Sequence, residues 1–126
     1  MTLVQKVVMI IEDEPDAAEL FAEMMRLNGF RVIKTYSSTP ALPLIAQEKP
    51  DLILLDIMMP EISGIEILHM MRKDPDLATI PVVVISARAT PTDVRNGLDA
   101  GASVYLTKPV GYMDLKNAVD RLIPGT

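Results

Sequence analysis

Two periods alternate along this chain. Short runs that are apolar on both faces are followed by longer stretches in which apolar residues recur every three or four positions. Lys6 to Ile11 is the first short run. It is brief and β-branched, which predicts a strand buried on both sides. Pro15 then falls where the first turn of a helix tolerates it, among acids that suit the positive end of a helix dipole. Ala17, Leu20, Phe21, Met24 and Leu27 follow at helical spacing, and Gly29 is a natural stop. Arg31 to Thr35 predicts a second strand. Leu42 to Glu48 predicts a helix that is short or starts late, because Pro43 lies deeper than Pro40 and removes a backbone donor.

The second half repeats the pattern. Leu52 to Leu55 is a third, fully apolar strand. A loop holding Pro60 and Gly64 leads into a helix around Ile65 to Arg72. Pro81 precedes a fourth strand, Val82 to Ile85. Thr90-Pro91-Thr92-Asp93 has the form of a capping box with proline at the first helical position, opening a helix that ends near Gly101. Val104 to Leu106 is a brief fifth strand. Leu115, Val119 and Leu122 mark a last amphipathic helix, and Pro124-Gly125-Thr126 follow it. Five strands alternating with five helices imply a three-layer α/β domain on a parallel sheet.

Composition narrows the function classes. The 126 residues fit one domain, 1–126, and at 49% hydrophobic they can bury a core. A net charge of −5 argues against direct binding to nucleic acid or to an anionic membrane. There is no cysteine, hence no disulfide framework and no thiolate metal site. No stretch approaches the roughly 18 apolar residues of a membrane span, and the N-terminal apolar run is too short for a secretion signal. The expectation is a soluble, cytoplasmic protein.

In open parallel sheets, ligands bind at the carboxyl ends of strands, where strand order reverses. The first strand runs into Glu12, Asp13 and Glu14, the third into Asp56, the fourth into Ser86 and the fifth into Thr107 and Lys108. Taken singly, each has an ordinary explanation: an Asp after a strand caps a helix, and a Lys before proline sits in a loop. Together they make a set of carboxylates, a hydroxyl and an ammonium. Carboxylates suit a hard cation such as Mg²⁺. A lysine and a hydroxyl can bind a phosphoryl group, and an aspartate can act as nucleophile and form an acyl phosphate.

The chain resembles the receiver domains of two-component response regulators over nearly its full length. The motifs are Ile11-Glu12-Asp13-Glu14-Pro15, Pro50 to Pro60 around Asp56, Ser63-Gly64, Ile80 to Ala87, and Gly101 to Pro109. The resemblance implies a flavodoxin-like doubly wound fold with five-stranded sheet order 2-1-3-4-5. It implies that Asp56 accepts a phosphoryl group from the phosphohistidine of a sensor kinase or phosphotransfer protein. Asp13, Asp56 and the backbone carbonyl of Met58 would ligate Mg²⁺, with Glu12 holding a metal-bound water. Lys108, followed by a cis peptide to Pro109, would pair with the phosphoryl group. Ser86 would swing toward it and the switch aromatic Tyr105 would turn inward, beside a small Ala87. The fourth helix, fifth strand and fifth helix would form the altered surface, which is also a possible homodimer face through Arg95, Asp99, Lys116 and Arg121. The downstream effector is not identified. Such a domain is a switch that assists its own phosphorylation and dephosphorylation rather than an enzyme.

Several positions depart from the commonest pattern or invite another reading. Glu12 stands where many members carry Asp. Met58 and Arg88, two residues after Asp56 and Ser86, suggest a slowly hydrolysed phosphoryl group. Gly97 inside the fourth helix either loosens it or permits close packing. His69 reads as an exposed helix residue, and the nine methionines as core filler. The alternatives are a receiver-like interaction module that works without phosphorylation, a phosphatase with an aspartyl-phosphate intermediate, and a flavin or nucleotide binder. Met58 cannot serve as the phosphatase's general acid. No Gly-rich loop follows the first strand to cradle a nucleotide.

Overall fold

A computed structural model describes residues 4–123, so Pro124 to Thr126 lie outside the described residues. Five parallel strands alternate with five helices: β1 (Val7–Ile11), α1 (Pro15–Leu27), β2 (Arg31–Thr35), α2 (Ala41–Glu48), β3 (Leu52–Leu55), α3 (Gly64–Lys73), β4 (Val82–Ser86), α4 (Pro91–Ala100), β5 (Val104–Thr107) and α5 (Tyr112–Leu122). The sheet order is β2-β1-β3-β4-β5, as expected. Strand order reverses between β1 and β3, which pair in parallel with Ile11 opposite Leu55. Their carboxyl ends therefore open side by side, and the residues that follow them meet there.

Alternation along the strands builds two cores. Val8, Ile10, Leu52, Leu54, Val83 and Ile85 face α1 and α5. Met9, Ile11, Ile53, Leu55, Val82 and Val84 face the layer of α2, α3 and α4. Each central strand is thus apolar on both sides because both sides are covered by helices.

The element boundaries follow local chemistry. Glu14 caps α1, accepting N–H groups of Asp16 at 3.2 Å and Ala17 at 2.7 Å. Thr90 caps α4 by accepting the Asp93 N–H, and Asp93 accepts the Thr90 hydroxyl at 2.7 Å. That hydrogen bond is the main reason the Asp93 carboxyl sits below its ordinary range. Gly29, just beyond α1, has φ 92°, the left-handed conformation a helix stop requires.

The second helix is short, as expected, at eight residues, though it begins at Ala41 rather than late and runs through Pro43. Pro43 is its third residue, where backbone N–H groups have no partner within the helix, so nothing is lost. On α1, the buried face is Ala18, Phe21, Ala22 and Met25. Of the residues read from the sequence at helical spacing only Phe21 is buried; Leu20 and Leu27 are 53% and 76% exposed.

The methionines divide. Met9, Met25 and Met71 are fully buried, whereas Met58, Met70 and Met113 are exposed, so core filling describes only part of them. His69 is exposed. Gly97 is buried on α4, and a β-carbon there would lie 2.6 Å from the Tyr105 ring. Close packing explains this glycine, offsetting a helix-propensity cost of about 1 kcal/mol. Among the described residues, no helix is long and apolar enough to cross a membrane.

Candidate functional site

Asp56 is the first residue past β3. Its backbone N–H donates to the Ile11 carbonyl at 3.0 Å, continuing the β1–β3 ladder by one rung. Glu12 does the same on the other side of β1, donating to the Thr35 carbonyl at 3.1 Å. The ladder therefore carries both acids into the interior. Glu12 is 2% exposed and Asp56 7% exposed.

Asp13 completes the cluster: one carboxylate oxygen from each of Glu12, Asp13 and Asp56 lies within 4.8 Å of the others. Burial, then the hydrogen bond and charge of Glu12, push the Asp13 carboxyl above its ordinary range. Glu14, the third acid after β1, is drawn away to cap α1, although its N–H donates to Glu12 Oε2 at 3.2 Å.

Lys108 enters from the end of β5. Its backbone N–H donates to the Ser86 carbonyl at 2.9 Å, so β4 positions it. Nζ lies 2.8 Å from Glu12 Oε1 and 3.6 Å from Asp56 Oδ2. Partial burial by itself lowers the Lys108 pKa. The hydrogen bond to Glu12 and the charges of Asp56 and Glu12 outweigh it, and the net shift is upward. The Lys108–Pro109 peptide is cis. One ammonium thus faces three carboxylates, a balance that leaves room for a cation.

Ser86 is fully buried at the end of β4, and its Oγ accepts the Arg88 N–H at 3.1 Å. Met58 follows Asp56 closely enough for its N–H to donate to Asp56 Oδ1 at 3.1 Å, while its side chain is 51% exposed. Tyr105 is half-buried, with its hydroxyl donating to the Arg88 carbonyl at 2.8 Å. Arg88 itself turns toward Asp93, Nη1 to Oδ1 3.5 Å, on an exposed rim. An open cavity of 490 Å³ is lined by Met58 and Met59 after β3, Ile65 of α3, Arg88 after β4, and Asp93 and Asn96 of α4.

Two residues take supporting roles that the sequence did not assign to them. Ser38 is buried; its hydroxyl donates to the Pro60 carbonyl at 2.8 Å and accepts the Ile62 N–H at 3.1 Å, bracing the loop after Asp56. Nothing in Ser37-Ser38-Thr39-Pro40 distinguishes it from an ordinary turn. Gly64 opens α3 where a β-carbon would fall 2.6 Å from the Asp56 carbonyl oxygen. Its place after Ser63 marked a motif but not this contact.

Comparisons with known proteins bear on the family and the fold. The family model of the response regulator receiver domain matches residues 8–120. The polar-differentiation response regulator DivK of Brucella ovis is 37% identical over 105 residues, covering 83% of this chain and 85% of its own. The signal receiver domain of a signal transduction histidine kinase from Syntrophus aciditrophicus superposes with TM-score 0.86 at 31% identity, over 96% of this chain and 94% of its own. The Francisella response regulator 1452 receiver domain gives TM-score 0.86 at 30% identity, over 94% and 96%.

The chain belongs to the response regulator receiver family of two-component signalling. Members are signalling switches that work with histidine kinases or phosphotransfer proteins and with downstream effectors, and they bind Mg²⁺ at an acidic pocket.

Proposed function

We propose that residues 1–126 act as a single cytoplasmic phosphoacceptor unit in which Asp56 takes the phosphoryl group. The observation that carries this reading is the Asp56 carboxylate: buried, grouped with Glu12 and Asp13, and 3.6 Å from Lys108 Nζ. An Asp56 oxygen attacks the phosphorus of a phosphohistidine. The P–O bond forms, the P–N bond breaks, and the imidazole leaves with a proton taken from its surroundings. Lys108, already held at the site by Glu12, balances charge on the transferred group.

The donor set fits a hard cation. Asp13 and Asp56, with the Met58 backbone carbonyl, would hold Mg²⁺. Glu12 would act through a bound water, since Oε1 and Oε2 already accept from Lys108 and from the Glu14 N–H. The ion supplies charge neutralisation for phosphoryl transfer.

The buried Ser86 hydroxyl is the group that turns to the new phosphoryl oxygens, and Tyr105 reports that turn at the surface of α4, β5 and α5. Arg95, Asp99 and Arg121 are exposed on the flanking helices, whereas Lys116 is held by Asp120 at 2.6 Å. Self-association through this face would therefore use the first three. The Met58 side chain offers no hydrogen bond to a hydrolytic water, in keeping with slow loss of the phosphoryl group; Arg88 would add to this only by leaving Asp93 to reach that group. Unchanged dephosphorylation in Met58→Asn would remove the point about Met58.

Intact-protein mass after incubation with acetyl phosphate tests the central reading. A Mg²⁺-dependent phosphoryl adduct is expected on the wild type and not on Asp56→Asn. A wild type that takes no adduct, from acetyl phosphate or from a phosphohistidine donor, would favour the phosphorylation-independent interaction module.

A further inference from the structure

The middle of α4 carries a glycine where helices disfavour one, and the ring of Tyr105 from β5 fills the space a side chain would take. A β-carbon on Gly97 would lie 2.6 Å and 2.7 Å from Tyr105 Cδ2 and Cε2, and 3.8 Å from Ile57 Cδ1. Carbon atoms in contact sit about 3.5–4.0 Å apart, so a methyl group and the ring cannot both occupy this place. The obstructing atoms belong to the body of the ring, which cannot yield by a small bend of a flexible tip. It can leave only by rotating about its bond to the backbone.

The far end of the ring is held as well. The Tyr105 hydroxyl donates to the Arg88 carbonyl at 2.8 Å, and the Arg88 N–H donates to Ser86 Oγ at 3.1 Å. Three links therefore run in series: the Ser86 hydroxyl, the backbone of Arg88, and the Tyr105 ring lying on Gly97. Ser86 lies at one end of the series. The residue at 97 acts on the other end.

We propose that Gly97 is a positioning residue for Tyr105. The missing side chain forms the seat in which the ring lies between α4 and β5, and a larger residue there turns the ring outward, opposite to the inward turn of the switch reading. The signalling consequence rests on the switch reading proposed above. The seat itself depends only on packing, so the two can fail separately.

The protein has three tyrosines, Tyr36, Tyr105 and Tyr112. Incorporated 3-fluorotyrosine gives a ¹⁹F spectrum in which Tyr105→Phe identifies the Tyr105 signal. Gly97→Ala is expected to move that signal toward the solvent-exposed position before any phosphodonor is added, leaving Tyr36 and Tyr112 in place. A Tyr105 signal identical in wild type and Gly97→Ala overturns the proposal. If the variant moves the signal but acetyl phosphate with Mg²⁺ leaves the wild-type signal unmoved, the seat stands and the switch reading falls.

Thermal melting supplies the second readout and covers a variant that folds poorly. In a Tyr105→Ala background only helix propensity acts on residue 97, and Gly97→Ala should raise Tm. In the wild-type background the same change should be less favourable or should lower Tm. Equal changes in the two backgrounds would show that the ring does not feel residue 97 and would overturn the proposal.

Discussion

Lys108 and Gly64 show how single residues hold this site together. Among the described residues Lys108 is the cation paired with Glu12 and Asp56, and it lies nearer to Glu12 than to Asp56. Glu12, longer than Asp, reaches it at 2.8 Å and so keeps the ammonium beside Asp56. Replacing Lys108 by Ala should slow phosphoryl adduct formation about a hundredfold, the usual effect of deleting one preorganised electrostatic partner. The time course of intact mass measures it. Gly64 acts by absence. A β-carbon there meets the Asp56 carbonyl oxygen at 2.6 Å and the Ile57 α-carbon at 2.7 Å, both backbone atoms that cannot swing aside. Gly64→Ala should cost about 2 kcal/mol or more in urea unfolding, and an unchanged midpoint would contradict the contact.

At the scale of elements, α1 is defined by which of two apolar stripes meets the sheet. Met25 is fully buried and Leu27 is 76% exposed. Met25→Ala should therefore lose about 3 kcal/mol. Leu27→Gln should stay within about 0.5 kcal/mol. Equal losses would reverse the assigned face.

The same helix is tied to β2 by Glu19, which pairs with Lys34 and, at 3.0 Å, with Arg26. The Lys34 hydrogen bond first, then that of Arg26, lowers the Glu19 pKa from 4.5 to about 2. A depressed carboxylate contributes stability that is present above pH 4.5 and is lost as pH falls toward 2. Glu19→Gln should therefore flatten that part of the acid-unfolding profile, more so at low salt because the pair is exposed. Helix α4 buries only Gly97 and Ala100, whereas α5 buries Leu115, Ala118 and Val119. Amide hydrogen exchange should find α4 less protected than α5.

For the molecule as a whole, three carboxylates against one ammonium make the metal-free fold carry a repulsion at its functional end. Mg²⁺ should raise Tm, by the equivalent of about 2.7 kcal/mol when free ion reaches a hundred times its Kd. Asp56→Asn removes one of the repelling charges. It should melt higher than wild type without metal and gain less from Mg²⁺. A melting curve indifferent to Mg²⁺ in both proteins would show that these acids do not share a cation.

Much of this arrangement is decided locally and is therefore legible in the sequence. Strand runs such as Leu52–Leu55 and Val82–Val84 are apolar at every position because both faces will be covered. Pro15, Gly29 and Thr90 start or stop helices through their own backbone and capping chemistry. Asp13, Asp56, Ser86 and Lys108 can be assembled from sequence because strand ends in a parallel sheet converge. What the sequence left open depends on partners distant in the chain. Leu20 and Leu27 are as apolar as Met25, and only contact with the sheet chooses between them. Glu14 is chemically a fourth candidate acid for the site, yet the free N–H groups of α1 claim it. Ser38 reaches Pro60 and Ile62, Gly64 lies against the Asp56 backbone, and Gly97 makes room for Tyr105. Each of these roles is a contact between segments that local propensity does not encode, so only the packed fold could assign it.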